Sequence, residues 1–327
     1  LIAALQSFEK RTEHLSAIKG RVPTLDDLPR GCRFHPRCQH VFDACADIVP
    51  TLQKVSCGKA RQVRCHLYPA HDKPPALATV DEKYQPKKAV GDVLISVKDL
   101  RVHFPMKRAW VGRQKVFHKA VDGISFDLKQ GETLALVGES GSGKSTVCRV
   151  LLGLQTMSGG GVYFKNQDMT TLRKKALKSF RKEVQIVFQD PYASMNPRMT
   201  VGEILAEGME AQKQASSTIA KRQYELLEQV NLPKASLNRY PHQFSGGQRQ
   251  RICIARALAT YPKVLICDEP TSALDVSVQA QILNLLKDLQ YELNLSYLFV
   301  THNMAVVSYL ADNVLVMRNG QIVEFGT

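Results

Sequence analysis

The sequence predicts an α/β fold, and three observations carry that expectation. Short apolar runs such as Thr133-Leu134-Ala135-Leu136-Val137 and Val264-Leu265-Ile266-Cys267 read as buried strands. Segments with apolar residues at helical spacing separate them, among them 206–237 (with Tyr224, Leu226, Leu227 and Val230) and the run after Asp275 to Leu289. Between one strand and one helix lie Gly138-Glu139-Ser140-Gly141-Ser142-Gly143-Lys144-Ser145-Thr146, the G-x-x-x-x-G-K-S pattern of a phosphate-binding loop. Glycines let that backbone wrap a polyphosphate, so that N–H groups and the helix N-terminus face the anion. Lys144 is expected on the β- and γ-phosphates and the Ser145 hydroxyl on Mg²⁺.

The length of 327 residues fits about two domains. No stretch of eighteen apolar residues occurs, so no membrane-spanning helix is expected, and Leu1–Leu5 lacks the basic start and cleavage site of a signal peptide. The chain has no initiator Met and stops at Gly326-Thr327 just after a strand-like run, which reads as a piece of a longer protein. Net charge is +14, and residues 1–90 carry 15 Lys and Arg against 9 Asp and Glu, so the excess is spread. A spread excess attracts anions in general and does not choose among nucleotides, lipids and nucleic acid.

Within the first 92 residues, Pro, Gly and charge punctuate Gly20–Arg37, and hydrophobic periodicity there is weak. Cys32, Cys38, Cys45, Cys57 and Cys65 cluster in those 92 residues, whereas Cys148, Cys253 and Cys267 stand alone in apolar or helical contexts and read as small buried hydrophobes. Disulfides are disfavoured in a nucleotide-hydrolysing chain without a signal peptide. The spacing Cys32-x5-Cys38-x6-Cys45-x19-Cys65 matches neither the close pairs of structural zinc nor ferredoxin ligation. Spacing alone therefore leaves a metal or cluster site of unresolved type. Pro69–Gly91 reads as a linker.

From residue 93 the strand signals are Val93–Val97, Val121–Leu128, Thr133–Val137, Val184–Gln189, Val264–Glu269 and Tyr297–Val300. Phe104, upstream of the phosphate loop, is read on its own as a core residue, although aromatics also stack on bases. Ser245-Gly246-Gly247-Gln248 opens a helix expected over Arg249–Ala259, offering a hydroxyl and free N–H groups to an anion. Asp268 and Glu269 close an apolar strand, the first suited to Mg²⁺ and the second to polarising a water. His302 ends another strand, where α/β sheets gather their sites. Asn319-Gly320 between Val314–Met317 and Ile322–Phe325 signals a hairpin.

In this order, the phosphate loop, Gln189, Phe244-Ser-Gly-Gly-Gln248, Asp268-Glu269, Ser272-Ala-Leu-Asp275 and His302 resemble an ABC-type nucleotide-binding domain over 93–327. Phe244 stands where Leu is commoner. The resemblance implies a P-loop α/β domain with an antiparallel β subdomain and a helical subdomain, preceded here by a Cys-rich irregular tail. It also implies ATP and Mg²⁺ as ligands, with Gly138, Ser140, Gly141, Ser142, Gly143, Lys144, Ser145 and Thr146 on the phosphates and Phe104 on adenine. Gln189, with Ser145 and Asp268, would touch Mg²⁺, while Glu269, His302 and Gln189 would serve hydrolysis. Ser245, Gly246, Gly247 and Gln248 would meet the ATP of a second ATPase unit, since the family pairs its domains head to tail.

Tyr240-Pro-His-Gln-Phe-Ser-Gly-Gly-Gln and Asp275-Val-Ser-Val-Gln-Ala-Gln-Ile resemble the oligopeptide/dipeptide importer branch. Gly31-Cys32-Arg33-Phe34-His35-Pro36-Arg37-Cys38, Cys45, Pro50 and Cys65-His66 resemble the extension that follows the ATPase domain in that branch. By that resemblance Cys32, Cys38, Cys45 and Cys65 would ligate a [4Fe–4S] cluster, with Cys57 outside the pattern. Because the extension here precedes an ATPase domain, and Leu1–Gln6 reads as a domain's last helix, the natural chain is expected to hold two ATPase units. Residues 1–70 would be the first unit's tail, 71–92 a linker and 93–327 the second unit. The expected role is to power peptide import from the cytoplasmic face of a bacterial inner membrane, with two permease subunits, a periplasmic or extracellular solute-binding protein and no nucleic acid. The competing reading is a soluble ABC ATPase of ribosomes or DNA.

Overall fold

A computed structural model describes residues 15, 28–55, 61–68, 91–106, 117–172 and 174–327. The expected helix at Leu1–Gln6, Cys57 and all but the end of the linker lie outside these residues. The chain divides into two compact units, Ser16–Tyr84 and Gln85–Thr327, and Leu15 belongs with the second.

The described part of the first unit contains a 3₁₀ turn at His35–Arg37, a single-turn helix α1 (Ala44–Asp47) and an antiparallel pair, β1 (Gln53–Val55) with β2 (Arg61–Val63). Backbone and histidine bonds hold it: Cys32 N–H donates to Cys45 O at 2.9 Å, His35 Nδ1 lies 3.0 Å from Cys32 O, and His66 Nε2 lies 2.7 Å from Ile48 O. Gly31 is required where it sits, since a Cβ there would lie 2.5 Å from the Ala46 carbonyl oxygen. The Cys-rich tail is thus less irregular than its composition predicts.

The second unit opens with two long strands, β3 (Val93–Pro105) and β4 (Phe117–Lys129). Both overrun the expected strands, because register shifts near Asp99 (φ 46°) and Gly123 (φ 84°) break the alternation that would reveal them. After β5 (Thr133–Gly138) and α2 (Lys144–Leu151), β6 (Gly159–Phe164) and β7 (Gln167–Asp168) complete a four-stranded antiparallel sheet, ordered β4-β3-β6-β7. Next come α3 (Lys174–Glu183), β8 (Val184–Val187), α4 (Val201–Glu210), α5 (Ser216–Gln229) and α6 (Gly246–Leu258). The last elements are β9 (Val264–Asp268), α7 (Val276–Leu293), β10 (Ser296–Thr301), α8 (Met304–Leu310), β11 (Asn313–Arg318) and β12 (Gln321–Gly326).

A six-stranded sheet ordered β12-β11-β5-β10-β9-β8 forms the centre, parallel except for the β11–β12 hairpin. Its inner strands read as unbroken apolar runs because both faces are covered. Along β9, Val264 and Ile266 point into a core shared with β3, β4, β6 and α2. Leu265 and Cys267 point the other way, into a core shared with α4, α5, α6 and α7. β10 alternates likewise, Leu298 and Val300 against Tyr297 and Phe299. Full burial of each such side chain is worth about 1.5–3 kcal/mol, so this double-sided layer anchors the strand ends that carry the polar residues.

Candidate active site

The phosphate loop leaves the end of β5 and enters α2 through glycines with φ of 155° (Gly138), 82° (Gly141) and 107° (Gly143). Two of them meet backbone as well: a Cβ on Gly138 would lie 2.2 Å from Met317 O, and one on Gly143 would lie 2.2 Å from Ala120 O. The loop is backed by the β11–β12 turn, where Gly320 N–H donates to Ser142 O at 3.1 Å and Gly320 O accepts from Asp122 N–H at 2.8 Å. Asn319-Gly320, expected only as a hairpin turn, therefore also supports the site. No local signal marks this, because the partners lie far apart in sequence.

Ser142 and Lys144 are buried, Ser140, Gly141 and Ser145 are exposed, and Thr146 is intermediate. Lys144 Nζ donates to Gly138 O and Glu139 O, both at 2.7 Å, and to Ser142 Oγ at 3.3 Å. Burial lowers the Lys144 pKa, opposed by the charges of Glu269 and Asp268. Ser145 Oγ lies 3.5 Å from Asp268 Oδ1. Burial raises the Asp268 pKa, opposed by that hydroxyl and reinforced by the neighbouring Glu269 charge.

Beyond Asp268 the chain turns sharply. Glu269 adopts φ 47°, an uncommon conformation for a residue with a side chain, and its N–H donates to Val300 O at 2.9 Å. Both carboxylate oxygens are held: Gln189 Nε2 donates to Oε2 at 3.0 Å and His302 Nδ1 to Oε1 at 3.0 Å. A carboxylate only accepts, so His302 carries a hydrogen on Nδ1. Gln189, Glu269 and His302 thus form one hydrogen-bonded set drawn from the ends of β8, β9 and β10.

Phe104 is 37% exposed, rather than in the core. Its register partner on β4 is His118, two residues before Ala120, whose carbonyl abuts Gly143. An exposed ring at this edge suits stacking on a base. Ser245 caps α6, which begins at Gly246 rather than Arg249, and its Oγ accepts from Gln248 N–H while Gln248 Oε1 accepts from Ser245 N–H. A Cβ on Gly247 would lie 2.3 Å from Val278 Cγ1, so the helix start packs on α7. Among the described residues no hydrogen bond joins 245–248 to the phosphate loop.

The residues present fit ATP and Mg²⁺. A glycine cradle that a Cβ would fill, a buried ammonium and a hydroxyl facing a desolvated carboxylate match a polyphosphate with its cation. The cysteines do not fit a cluster. Among the described residues no group of three or more His, Cys, Asp or Glu side chains could hold a metal ion, and Cys32, Cys38, Cys45 and Cys65 are free thiols. Cys45 packs inside the tail, 7% exposed, and Cys38 Sγ accepts the His40 N–H at 3.4 Å. The structure therefore does not support the [4Fe–4S] ligand set that the resemblance implies. Cys148, Cys253 and Cys267 are buried, as expected.

The ABC transporter family matches residues 121–272, and the family of the oligopeptide/dipeptide transporter C-terminal region matches residues 1–45. The chain is 50% identical over 234 residues to the oligopeptide transport ATP-binding protein OppF of Bacillus subtilis, covering 71% of this chain and 74% of that protein. It is 42% identical over 314 residues to the oligopeptide transport ATP-binding protein OppD of Mycobacterium tuberculosis, covering 95% of this chain and 51% of that protein. Among solved structures it resembles the post-hydrolysis dimer of the ATP-binding cassette MJ0796 bound to ADP and Pi, with TM-score 0.62, 28% identity, and coverage of 72% of this chain and 98% of that one. With the phosphate loop and the carboxylates of Asp268 and Glu269 at the end of β9 in place, the chain belongs to the ABC transporter ATP-binding family of ATPases.

Proposed function

We propose that this chain is the ATP-hydrolysing part of an importer for peptides or similar solutes, and one observation carries the hydrolytic assignment. Glu269 is held through both oxygens by Gln189 and His302 at the strand ends beside the phosphate loop. A carboxylate so fixed keeps free lone pairs to take a proton from an attacking water, while Lys144 and the loop N–H groups hold the γ-phosphate. Ser145 and Asp268, with Gln189, would hold Mg²⁺, which supplies charge neutralisation on the phosphates when bound. Phe104 stacks on adenine. The turn 245–248 presents its Ser245 hydroxyl and the Gly246 and Gly247 N–H groups to an ATP bound on a second ATPase unit.

The names of the relatives, oligopeptide transport ATP-binding proteins, support peptide import. In this reading the chain works at the cytoplasmic face of a bacterial membrane with two permease subunits and a solute-binding protein outside. Among the described residues no helix is long and apolar enough to cross a membrane. A C-terminal-region match ahead of an ABC match, and an OppD relative of which this chain spans about half, support a twin-unit natural protein. Residues 1–70 then form the tail of the first unit, 71–92 the linker and 93–327 the second unit. The competing role on ribosomes or DNA has no support among these relatives.

The test is the full-length protein with its permeases in liposomes, comparing parent with Glu269→Gln. ATP binding is expected to persist while hydrolysis falls by about 10²–10⁴-fold. Unchanged hydrolysis removes Glu269 from the chemistry, and hydrolysis indifferent to peptide and binding protein removes the import assignment.

A further inference from the structure

Leu15 is held on the ATPase unit through its main chain. Its N–H donates to Asn284 Oδ1 at 3.0 Å, and its carbonyl accepts from Asn284 Nδ2 at 2.9 Å. The leucine side chain packs on the core formed by α4, α5, α6 and α7. Asn284 Oδ1 also accepts from the Tyr309 hydroxyl at 2.8 Å, and Lys287 Nζ lies 4.4 Å from the Tyr309 ring centroid. Both lone pairs of Oδ1 are thereby used, and this pattern fixes which end of the amide faces which partner.

We propose that Asn284 is a main-chain docking site whose occupant is this protein's own upstream segment at Leu15, and that the docked segment braces α8. The Asn284 amide donates to the carbonyl and accepts from the N–H of the same residue, so the site reads backbone, as a neighbouring β-strand would. Of the side chain it asks only apolar character. The docked residue closes a set that ties α7 to α8 through Asn284 and Tyr309. α8 starts two residues after His302, and its cap Asn303 accepts the Ala305 N–H at 3.0 Å. The upstream segment thus touches the framework that places His302 without touching the nucleotide site, and the inference stands apart from the import assignment.

Hydrogen-exchange mass spectrometry of the full-length protein tests this. Asn284→Asp keeps the side chain's size but turns an acceptor toward the Leu15 carbonyl. It is expected to speed exchange at the Leu15 amide about tenfold, the loss of a typical hydrogen bond. Leu15→Pro removes the donor without altering any helix or strand among the described residues, and is expected to speed exchange over 304–310 while β3 and β4 keep the parent's rates. Parent-like exchange at Leu15 in Asn284→Asp, or over 304–310 in Leu15→Pro, overturns the proposal. Protection of Leu15 that rises with protein concentration overturns the assignment to the chain's own segment.

Discussion

The phosphate loop and the cysteine tail both bear sequence patterns of ligand sites, yet only the loop has the geometry to match. Around the loop, Gly138 and Gly143 abut backbone at distances that forbid any side chain, and the buried strand β5 and the helix α2 hold its two ends in place. In the tail, Gly31, Cys45 and Pro50 are buried while Phe34, Val41, Phe42, Ile48, Val49 and Leu52 are exposed, so little apolar burial holds the thiols in any arrangement. A ligand set is credible where the surrounding packing over-determines it. Spacing alone does not do that.

Three measurements put this contrast at risk. The largest effect is expected at Gly143, where Gly143→Ala adds a left-handed strain and a clash with Ala120 O. Chemical denaturation should show a loss of about 2–4 kcal/mol. Gly141→Ala, with open space around it, should lose only about 1–2 kcal/mol. Equal losses would show that the loop is not packed as described.

Asp268→Asn comes next. Burial raises this carboxyl's pKa on folding, so its ionised form destabilises the nucleotide-free protein, and the stabilising contribution is present only at acid pH. The variant should therefore unfold at higher temperature than the parent near pH 7, with the gap closing as pH falls to the ordinary carboxylate range. It should also lose Mg²⁺-dependent hydrolysis. A gap that widens in acid would reverse the sign assigned to this burial. The smallest effect is expected at Cys38→Ser: stability within about 0.5 kcal/mol of the parent and no iron bound to either protein purified without oxygen. Stoichiometric iron in the parent, lost in the variant, would place the tail beside the loop as a built site.

How much the sequence made legible depends on the range of the interactions. Gly138–Thr146, Asp268-Glu269 and Ser245–Gln248 were readable because a short segment contains both the chemistry and the turn that presents it. The parallel strands were readable because burial on both faces leaves apolar runs. The full length of β3 and β4 was hidden by bulges at Asp99 and Gly123, which shift the face that each residue presents. Gly320 behind the loop and Asn284 beneath Leu15 were invisible because their partners lie well over a hundred residues away, and an isolated Gly or Asn is compatible with any surface turn or helix. Phe104 read as core by composition but stands at an edge, since its strand continues past the region that covers it.

The support that Gly320 gives to Ser142 has a consequence for the order of synthesis. β5 lies between β10 and β11, so the strand that leads into the loop pairs only with strands made more than 150 residues later. The turn that backs the loop is made later still. A nascent chain carries the complete phosphate-binding motif long before it can hold that motif in shape. A chain released before the β11–β12 hairpin is made would carry the motif without the walls that shape it.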